Sequence, residues 1–196
     1  MGDGDDDFTL LERWRNGDQL AGEALCARYF EPIYRFFENK LAGEADDLTQ
    51  QTFLACVKSR DRFRGASSFR TYLYAIARNE LYMRLRGPKF EHVDLDASSL
   101  AELVTSPSKQ IDRRREVEVL HAALRQLPVE QQVLLELRYW HELDIPALTE
   151  IFETSTGALR VRLTRARKAL RQLLGTPLDD DSQDPLSVSL RDPEDG

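Results

Sequence analysis

The sequence predicts an all-α protein in which two small helical domains are joined by a flexible linker. Apolar residues recur at intervals of three and four through residues 8–86 and again through residues 112–174, which is the spacing of amphipathic helices. This periodicity fails between residues 87 and 111, and no segment alternates apolar and polar residues over the length of a strand. Both ends, residues 1–7 and 175–196, are acidic and are expected to be disordered.

The composition is that of a soluble globular chain. Of 196 residues, 41% are hydrophobic and 31% are charged. No apolar run approaches the roughly 20 residues that cross a bilayer, and the acidic start does not fit a signal peptide. We therefore expect a cytoplasmic protein without membrane insertion. Cys26 and Cys56 form no Cys-x-x-Cys pair, and the three histidines lack metal-ligand spacing, so we expect no metal, no cofactor and no enzymatic activity.

Charge is segregated along the chain. The net charge is −7, yet residues 58–89 hold nine basic residues and two acids, and residues 157–174 hold six basic residues and no acid. Residues 175–196 hold seven acids and one Arg. Basic residues with interleaved aromatics favour a surface that neutralises phosphates and stacks bases. The alternative is a solvated basic face above ordinary core aromatics.

The first helices are predicted within residues 8–60. The polar segment 16–18, Asn-Gly-Asp, separates the first two. A further helix, from about 46 to 60, would leave Asp47, Gln50 and Gln51 exposed. Its predicted buried stripe consists of Leu48, Phe53, Cys56 and Val57.

The next helix is predicted to begin at a capping serine, Ser67 or Ser68, and to end near Leu85. Side chains three or four residues apart share one face of a helix. The buried face is predicted to hold Phe69, Leu73, Ile76 and Ala77, and the neighbouring face Tyr72, Ala75, Asn79 and Tyr82. The segment that follows, residues 87–111, has the acidic composition of a flexible linker, with one helical turn around Leu100–Leu103.

The second domain is predicted to contain a helix-turn-helix. Helices are expected over residues 112–126 and, after Pro128, over 129–140. Asp144 can cap a short helix over 145–153, and Ser155 can cap a longer, basic one. Two helices joined by a short turn, the second strongly basic, are typical of this DNA-binding motif. The second helix is predicted to turn Leu159, Leu163, Ala166 and Leu170 inward and Arg160, Val161, Arg162, Arg165, Arg167, Lys168 and Arg171 outward.

Three stretches carry a resemblance to a known family. They are residues 46–53 (DDLTQQTF), 63–79 (FRGASSFRTYLYAIARN) and 155–167 (STGALRVRLTRAR). In this order, and with this linker, they resemble the sigma factors of bacterial RNA polymerase, specifically the extracytoplasmic-function (ECF) group. The resemblance covers about residues 8–86 and 112–174. It implies a factor that binds core polymerase, reads the −35 promoter element as duplex and the −10 element as melted strand, and is held by an anti-sigma factor.

The resemblance also implies roles for particular residues. Asp47, Gln50 and Gln51 look like the residues that bind the clamp helices of the polymerase β′ subunit, and the second domain would meet the β flap. Residues 63–68 resemble the loop that captures a base flipped from the −10 strand. The implied −10 contacts are Phe63, Arg64, Ser67, Ser68, Arg70, Tyr72, Arg78 and Asn79. The implied −35 contacts are Ser155, Thr156, Arg160, Val161, Arg162, Arg165 and Arg167.

Four positions depart from the family pattern. Glu153 stands where a helix-ending glycine is usual, which predicts a different turn in the helix-turn-helix. Ala158 and Val161 replace a common Thr and a common Ser, so two possible hydrogen bonds to DNA are lost. Tyr72 replaces a common Trp. Promoter preference is therefore expected to be unusual.

Two other classes of protein are compatible with parts of this pattern. One is a DNA-binding regulator that uses only the helix-turn-helix, with residues 8–86 as a sensory or oligomerisation module. Such a module has little need of a basic, aromatic face. The other is an anti-sigma-like or structural interaction protein, which leaves the basic helix 157–172 without a role. Co-purification with core polymerase separates a sigma factor from both.

Overall fold

The computed structural model describes residues 6–63, 65, 67–87, 94–95, 97–103 and 115–175. Over these residues the chain is helical and no strand is formed, which confirms the predicted all-α class. The chain divides into two compact units: residues 1–87 with residues 150–152 form the first, and residues 88–149 with residues 153–196 form the second. The disorder predicted for residues 1–5 and 176–196 lies outside the described residues.

The first unit contains four helices. Helix α1 spans Asp7–Arg15, α2 Gln19–Leu41, α3 Ala45–Ser59 and α4 Phe69–Leu85. Each helix from α2 to α4 packs against the preceding one, and α4 also contacts α1 and α2. Short 3-10 turns, Ala42–Glu44 and Arg60–Arg62, follow α2 and α3.

Side-chain caps fix where three of these helices begin. Asp6 accepts a hydrogen bond from the Thr9 amide at 2.7 Å, so Asp6 and Asp7 are ordered at the start of α1, where disorder was expected. Asp18, in the predicted break, caps α2 by accepting from the Ala21 amide. Ser68 caps α4 by accepting from the Thr71 amide at 3.0 Å, as predicted.

Helices α1 and α2 approach closely because of a glycine. A Cβ built on Gly22 would lie 2.4 Å from Trp14 Nε1, so only a residue without a side chain lets the indole lie flat against α2. The ring of Trp14 is buried there, and the guanidinium of Arg60 lies 5.1 Å from its centre.

The core differs from the predicted stripe in α3. Leu48 and Cys56 are buried as expected, but Val57 is 41% exposed and Phe53 is only half-buried. Threonines replace them in the core: Thr49 and Thr52 are fully buried. Thr52 Oγ1 donates to the Leu48 carbonyl at 2.8 Å, which satisfies the hydroxyl within the helix and makes a polar residue acceptable inside.

A lysine also lies in this core. The side chain of Lys40 is fully buried, its Nζ donates to the Phe36 carbonyl at 2.7 Å, and it sits 3.7 Å from the centre of the Phe36 ring. The carbonyl and the ring face replace part of the water that the ammonium loses. Nothing in the local sequence distinguishes Lys40 from a surface lysine.

The second unit is built around its last helix. Helix α5 spans Leu100–Leu103, α6 Arg115–Leu124, α7 Val129–Tyr139, α8 Ile145–Ile151 and α9 Thr156–Leu174. Helix α9 packs against α6 and α7 through its predicted stripe, all of which is buried: Leu159, Leu163, Ala166 and Leu170. The caps agree with the prediction as well, because Asp144 accepts from the Ala147 amide at 2.8 Å and Ser155 from the Ala158 amide at 3.2 Å.

Part of the segment predicted as a flexible linker is docked on this unit. Leu95 and Leu100 are buried, and the amides of Val129 and Glu130 donate to the carbonyls of Ser98 and Leu95 at 3.0 and 3.1 Å. Helix α7 has no side-chain cap, so linker carbonyls satisfy the amides of its first turn instead. The helical turn predicted at Leu100–Leu103 is present.

In the turn of the helix-turn-helix, the left-handed position is occupied by Glu153 and not by a glycine. Glu153 has φ +50, the conformation that glycine adopts at little cost. A glutamate in place of the glycine that is usual in the family therefore leaves the left-handed backbone conformation unchanged, and it places strain at residue 153.

We expect Glu153→Gly to stabilise the chain by about 0.5–1 kcal/mol, because relief of the left-handed strain exceeds the added flexibility of the unfolded chain. The matched control is Glu150→Gly, an exposed position within α8, where glycine should cost about 1 kcal/mol. Thermal unfolding followed by circular dichroism measures both. A destabilised Glu153→Gly variant would contradict the assignment of strain.

Candidate nucleic-acid interface

Helix α3 presents a polar face that is separate from its core. Asp47, Gln50 and Gln51 are all exposed, as predicted, because the residues that face the core lie on the other side of the helix. Asp47 lies in the first turn, where the helix macrodipole favours a carboxylate. Leu54 lies one turn further along this face and is 49% exposed, an apolar neighbour that the sequence analysis did not single out.

The loop after α3 begins at a buried aromatic anchor. Phe63 is 9% exposed, and its ring centre lies 4.6 Å from that of Tyr72. Its ring therefore supports the loop from inside, and the −10 contact expected of Phe63 stays a prediction. Gly65 follows with φ +70, a left-handed turn that glycine allows. Arg64, also expected to contact the −10 strand, lies outside the described residues.

The end of the loop is tied to α4. Ser67 is half-buried, whereas Ser68 is exposed with its hydroxyl engaged as the α4 cap and 2.8 Å from Thr71 Oγ1. Tyr72 is half-buried and its hydroxyl is hydrogen-bonded to Ser59 Oγ. Burial raises the pKa of Tyr72 above that of a free tyrosine. An aromatic ring with a fixed hydroxyl thus lies directly behind the loop.

Helix α4 places Asn79 on the same face as Tyr72 and Arg70 on the opposite side. Asn79 is exposed two turns after Tyr72 on the same face, and Arg78 Nη1 lies 3.4 Å from Asn79 Oδ1. The guanidinium of Arg78 lies 4.7 Å from the centre of the Tyr82 ring. Arg70 projects from the opposite side of the helix from Tyr72, since residues two apart do not face each other, and its charge acts on Tyr29 of α2.

Helix α9 exposes a basic surface. Ser155, Thr156, Arg160, Arg162 and Arg165 are exposed, and Arg167 is half-buried. Val161 is 50% exposed between Arg160 and Arg162, so its methyl groups are available for contact with a thymine methyl. Arg162 Nη1 is paired with a carboxylate oxygen of Glu130 in the first turn of α7, a partner that its sequence position does not indicate. The open N-terminal turns of α9 are those that a helix-turn-helix places in the major groove.

The titratable residues outside these surfaces include a buried cysteine thiol. Cys56 is buried, and burial raises the pKa of its thiol to about 12. In the part of the chain that the structure describes, no cluster of His, Cys, Asp or Glu has the arrangement of a metal site. Among the same residues, no helix is both long and apolar enough to span a bilayer.

A helix-turn-helix whose second helix exposes a basic surface is typical of DNA-binding proteins, and α9 has this character. The Sigma-70 region 2 family matches residues 28–89, and the Sigma-70 region 4 family matches residues 118–170. The RNA polymerase sigma-H factor of Pseudomonas aeruginosa is 30% identical over 182 residues, which cover 86% of this chain and 93% of that protein. The ECF RNA polymerase sigma-E factor of Escherichia coli K12 is 26% identical over 175 residues, covering 84% and 92%.

Solved structures share the fold. The sigma factor RpoE, crystallised with the anti-sigma factor NepR from Bartonella quintana, matches with a TM-score of 0.64 at 22% identity, over 81% of this chain and 98% of that one. CnrH, in complex with the cytosolic domain of CnrY, matches with a TM-score of 0.64 at 22% identity, over 87% and 98%. The chain belongs to the ECF group of sigma factors of bacterial RNA polymerase. It binds core polymerase and directs promoter-specific initiation of transcription, and the alternative of an independent helix-turn-helix regulator is not favoured.

Proposed function

We propose that the first unit reads the melted −10 strand with the loop that begins at Phe63 and with the outer face of α4. The positions of Tyr72, Ser67 and Asn79 support this role. The Tyr72 ring lies against Phe63 at the start of the loop. Ser67 within the loop and Asn79, exposed two turns after Tyr72 on the same face of α4, can hydrogen-bond to base edges. Arg78 supplies positive charge beside Asn79 for the phosphates. Phe63 acts as the anchor of the loop, and the unpaired base is taken up by the residues around it.

The second unit is proposed to read the −35 element as duplex through the N-terminal turns of α9. The main observation in support is that α9 has an apolar face and a basic face. The leucines of its apolar stripe are buried, and Arg160, Arg162 and Arg165 are exposed. Arginine can form two hydrogen bonds to guanine in the major groove. Thr156 and Ser155, at the start of the helix, are placed to meet backbone phosphates, which favour helix N-termini.

Two protein partners complete the proposal. The exposed face of Asp47, Gln50 and Gln51 is assigned to the clamp helices of the polymerase β′ subunit, and the second unit to the β flap. An anti-sigma factor is proposed to hold the free protein, which is supported by the structural neighbour RpoE, crystallised with the anti-sigma factor NepR. No small-molecule cofactor is part of the proposed mechanism.

A run-off transcription assay tests these assignments together. Core polymerase, the full chain and fragmented genomic DNA from the source organism are expected to give discrete transcripts that core polymerase alone does not give. Footprints should show protection near −35 and reactive unpaired bases near −10. Transcripts whose start sites share no upstream sequence would contradict promoter reading by α9. Protection at −35 without unpaired bases at −10 would remove the role proposed for the first unit.

A further inference from the structure

The side chain of Arg15, in α1, connects that helix to the turn before the proposed base-capturing loop. Its Nε and Nη2 donate to the carbonyl of Arg60 at 3.3 and 2.9 Å, and Nη2 also donates to the carbonyl of Phe63. Nη1 is paired with Glu12 Oε1 at 2.6 Å. These contacts join residues 45 and 48 positions apart in the chain, and no local sequence pattern indicates them.

The guanidinium is suited to this place for a geometric reason. The Arg60 carbonyl accepts the Phe63 amide at 3.3 Å, and the Phe63 carbonyl lies just beyond the 3-10 turn. Each carbonyl oxygen has two lone pairs, so both can accept from a side-chain donor. A planar fork with several donors can bind two of them at once and fix their separation, whereas an ammonium acts as a point charge. Glu12 on the same helix pairs with the opposite edge of the fork, which orients it toward the turn.

Fixing the Phe63 carbonyl also fixes the direction in which the loop leaves the helical core. The Phe63 ring is held from one side by Tyr72, at 4.6 Å, and lies 5.8 Å from the Arg15 guanidinium. Tyr72 is in turn hydrogen-bonded to Ser59, in the last turn of α3. The backbone and the ring of Phe63 are therefore both held, immediately before the left-handed turn at Gly65.

We propose that Arg15 is a positioning residue for promoter melting: it holds Phe63, the first residue of the loop that captures the unpaired −10 base. This inference rests on the −10 role proposed for the first unit. Direct contact of Arg15 with DNA phosphates does not fit the geometry, because its side chain is only 22% exposed and its donors are directed at two carbonyls and a carboxylate.

The test compares Arg15→Met and Arg15→Lys with the wild-type chain. In the free proteins, amide hydrogen exchange of residues 60–63 reports how firmly the turn is held. In holoenzyme reconstituted with core polymerase, affinity is measured for a single-stranded oligonucleotide with the −10 sequence of a transcribed promoter, for a −35 duplex, and for core itself. We expect faster exchange in Arg15→Met and about tenfold weaker strand binding. Core and −35 affinities should remain within about twofold.

Two further variants make the result specific. Arg13→Met, on the same helix, removes a guanidinium that is 49% exposed and paired with Asp18 at 2.7 Å, and it should change none of the four readouts. Glu12→Gln weakens the orientation of Arg15 without removing it, so it should give a smaller loss of strand binding. This milder variant keeps the test usable if Arg15→Met does not fold.

Several outcomes overturn the proposal. Full strand binding by Arg15→Lys would show that charge alone suffices. Lost strand binding with unchanged exchange would indicate a direct DNA contact, and faster exchange with unchanged strand binding would show that the position of the turn does not matter. Equal losses at core and −35 would reveal a general folding role. Asn79→Ala tests the −10 assignment separately: unchanged strand binding there removes the proposed function, while exchange still reports whether Arg15 holds the turn.

Discussion

The double variant Asp47→Ala, Gln50→Ala is expected to bind core polymerase about 10- to 100-fold more weakly than the wild-type chain. Both side chains are exposed on α3, away from its buried residues, so we expect the loss to fall on an intermolecular contact. One carboxylate and one amide that each lose a hydrogen bond to the partner account for a change of this size. The free energy of unfolding should change by less than about 0.5 kcal/mol, as for other exposed substitutions.

The matched control uses the same side-chain chemistry on another helix. Glu23 and Gln19 are an exposed acid and an exposed amide of α2, so Gln19→Ala with Glu23→Ala removes equivalent groups away from the proposed interface. A titration of fluorescent core polymerase measures both double variants, with thermal unfolding as the check on folding. Wild-type affinity in the Asp47/Gln50 variant, or an equal loss in the control, would remove the assignment of this face.

The features that the sequence predicted well are local in origin. A cap such as Ser68 or Ser155 needs only its own hydroxyl and an amide three residues later, so residue type and position determine it. The stripe of α9 was predicted in full because its leucines recur at helical spacing with charges between them. The helix-turn-helix and the division into two units follow from such local signals.

The features that the sequence did not predict depend on contacts between distant segments. Val57 and Phe53 were assigned to the core by hydrophobicity, but the packing of α2 and α4 on α3 selects a face that includes Thr49 and Thr52. Arg15 was not singled out because its acceptors are backbone carbonyls, which every residue has. The docking of the linker has the same origin, since the carbonyls of Leu95 and Ser98 accept hydrogen bonds from backbone amides of α7.

The candidate site was predicted unevenly for a related reason. Exposure of Asp47, Gln50, Asn79 and Arg160 follows from helical phase alone. The resemblance placed Phe63 among the DNA contacts, which stays a prediction, but it did not indicate that the ring is buried against Tyr72. Whether an aromatic residue in a loop points inward or outward depends on a partner from another helix, which periodicity within one segment does not show.

At the −35 element, Arg160→Ala is expected to weaken promoter binding and to relax the preference at one base pair by about 1–3 kcal/mol. Arg160 is exposed in the second turn of α9, within the N-terminal part of the helix that reaches base edges. Arg162→Ala should behave similarly at a different base pair. For Arg162 the pairing with Glu130 adds a test, because Glu130→Gln removes the ion pair but keeps the guanidinium and should relax the preference less than Arg162→Ala does.

Lys168→Ala is the matched control on the same helix. Lys168 is exposed two turns further along α9, beyond the part that enters the groove, so any contact it makes is with phosphate. Its loss should weaken binding equally on all sequences and reduce the salt slope by about 1, because one fewer counterion is released. Affinities of holoenzyme for the promoter and for its single-base −35 variants, measured at several salt concentrations, separate the two behaviours. An Arg160→Ala loss that is the same on every −35 sequence would assign this residue to the backbone and leave base reading to Arg162 and Val161.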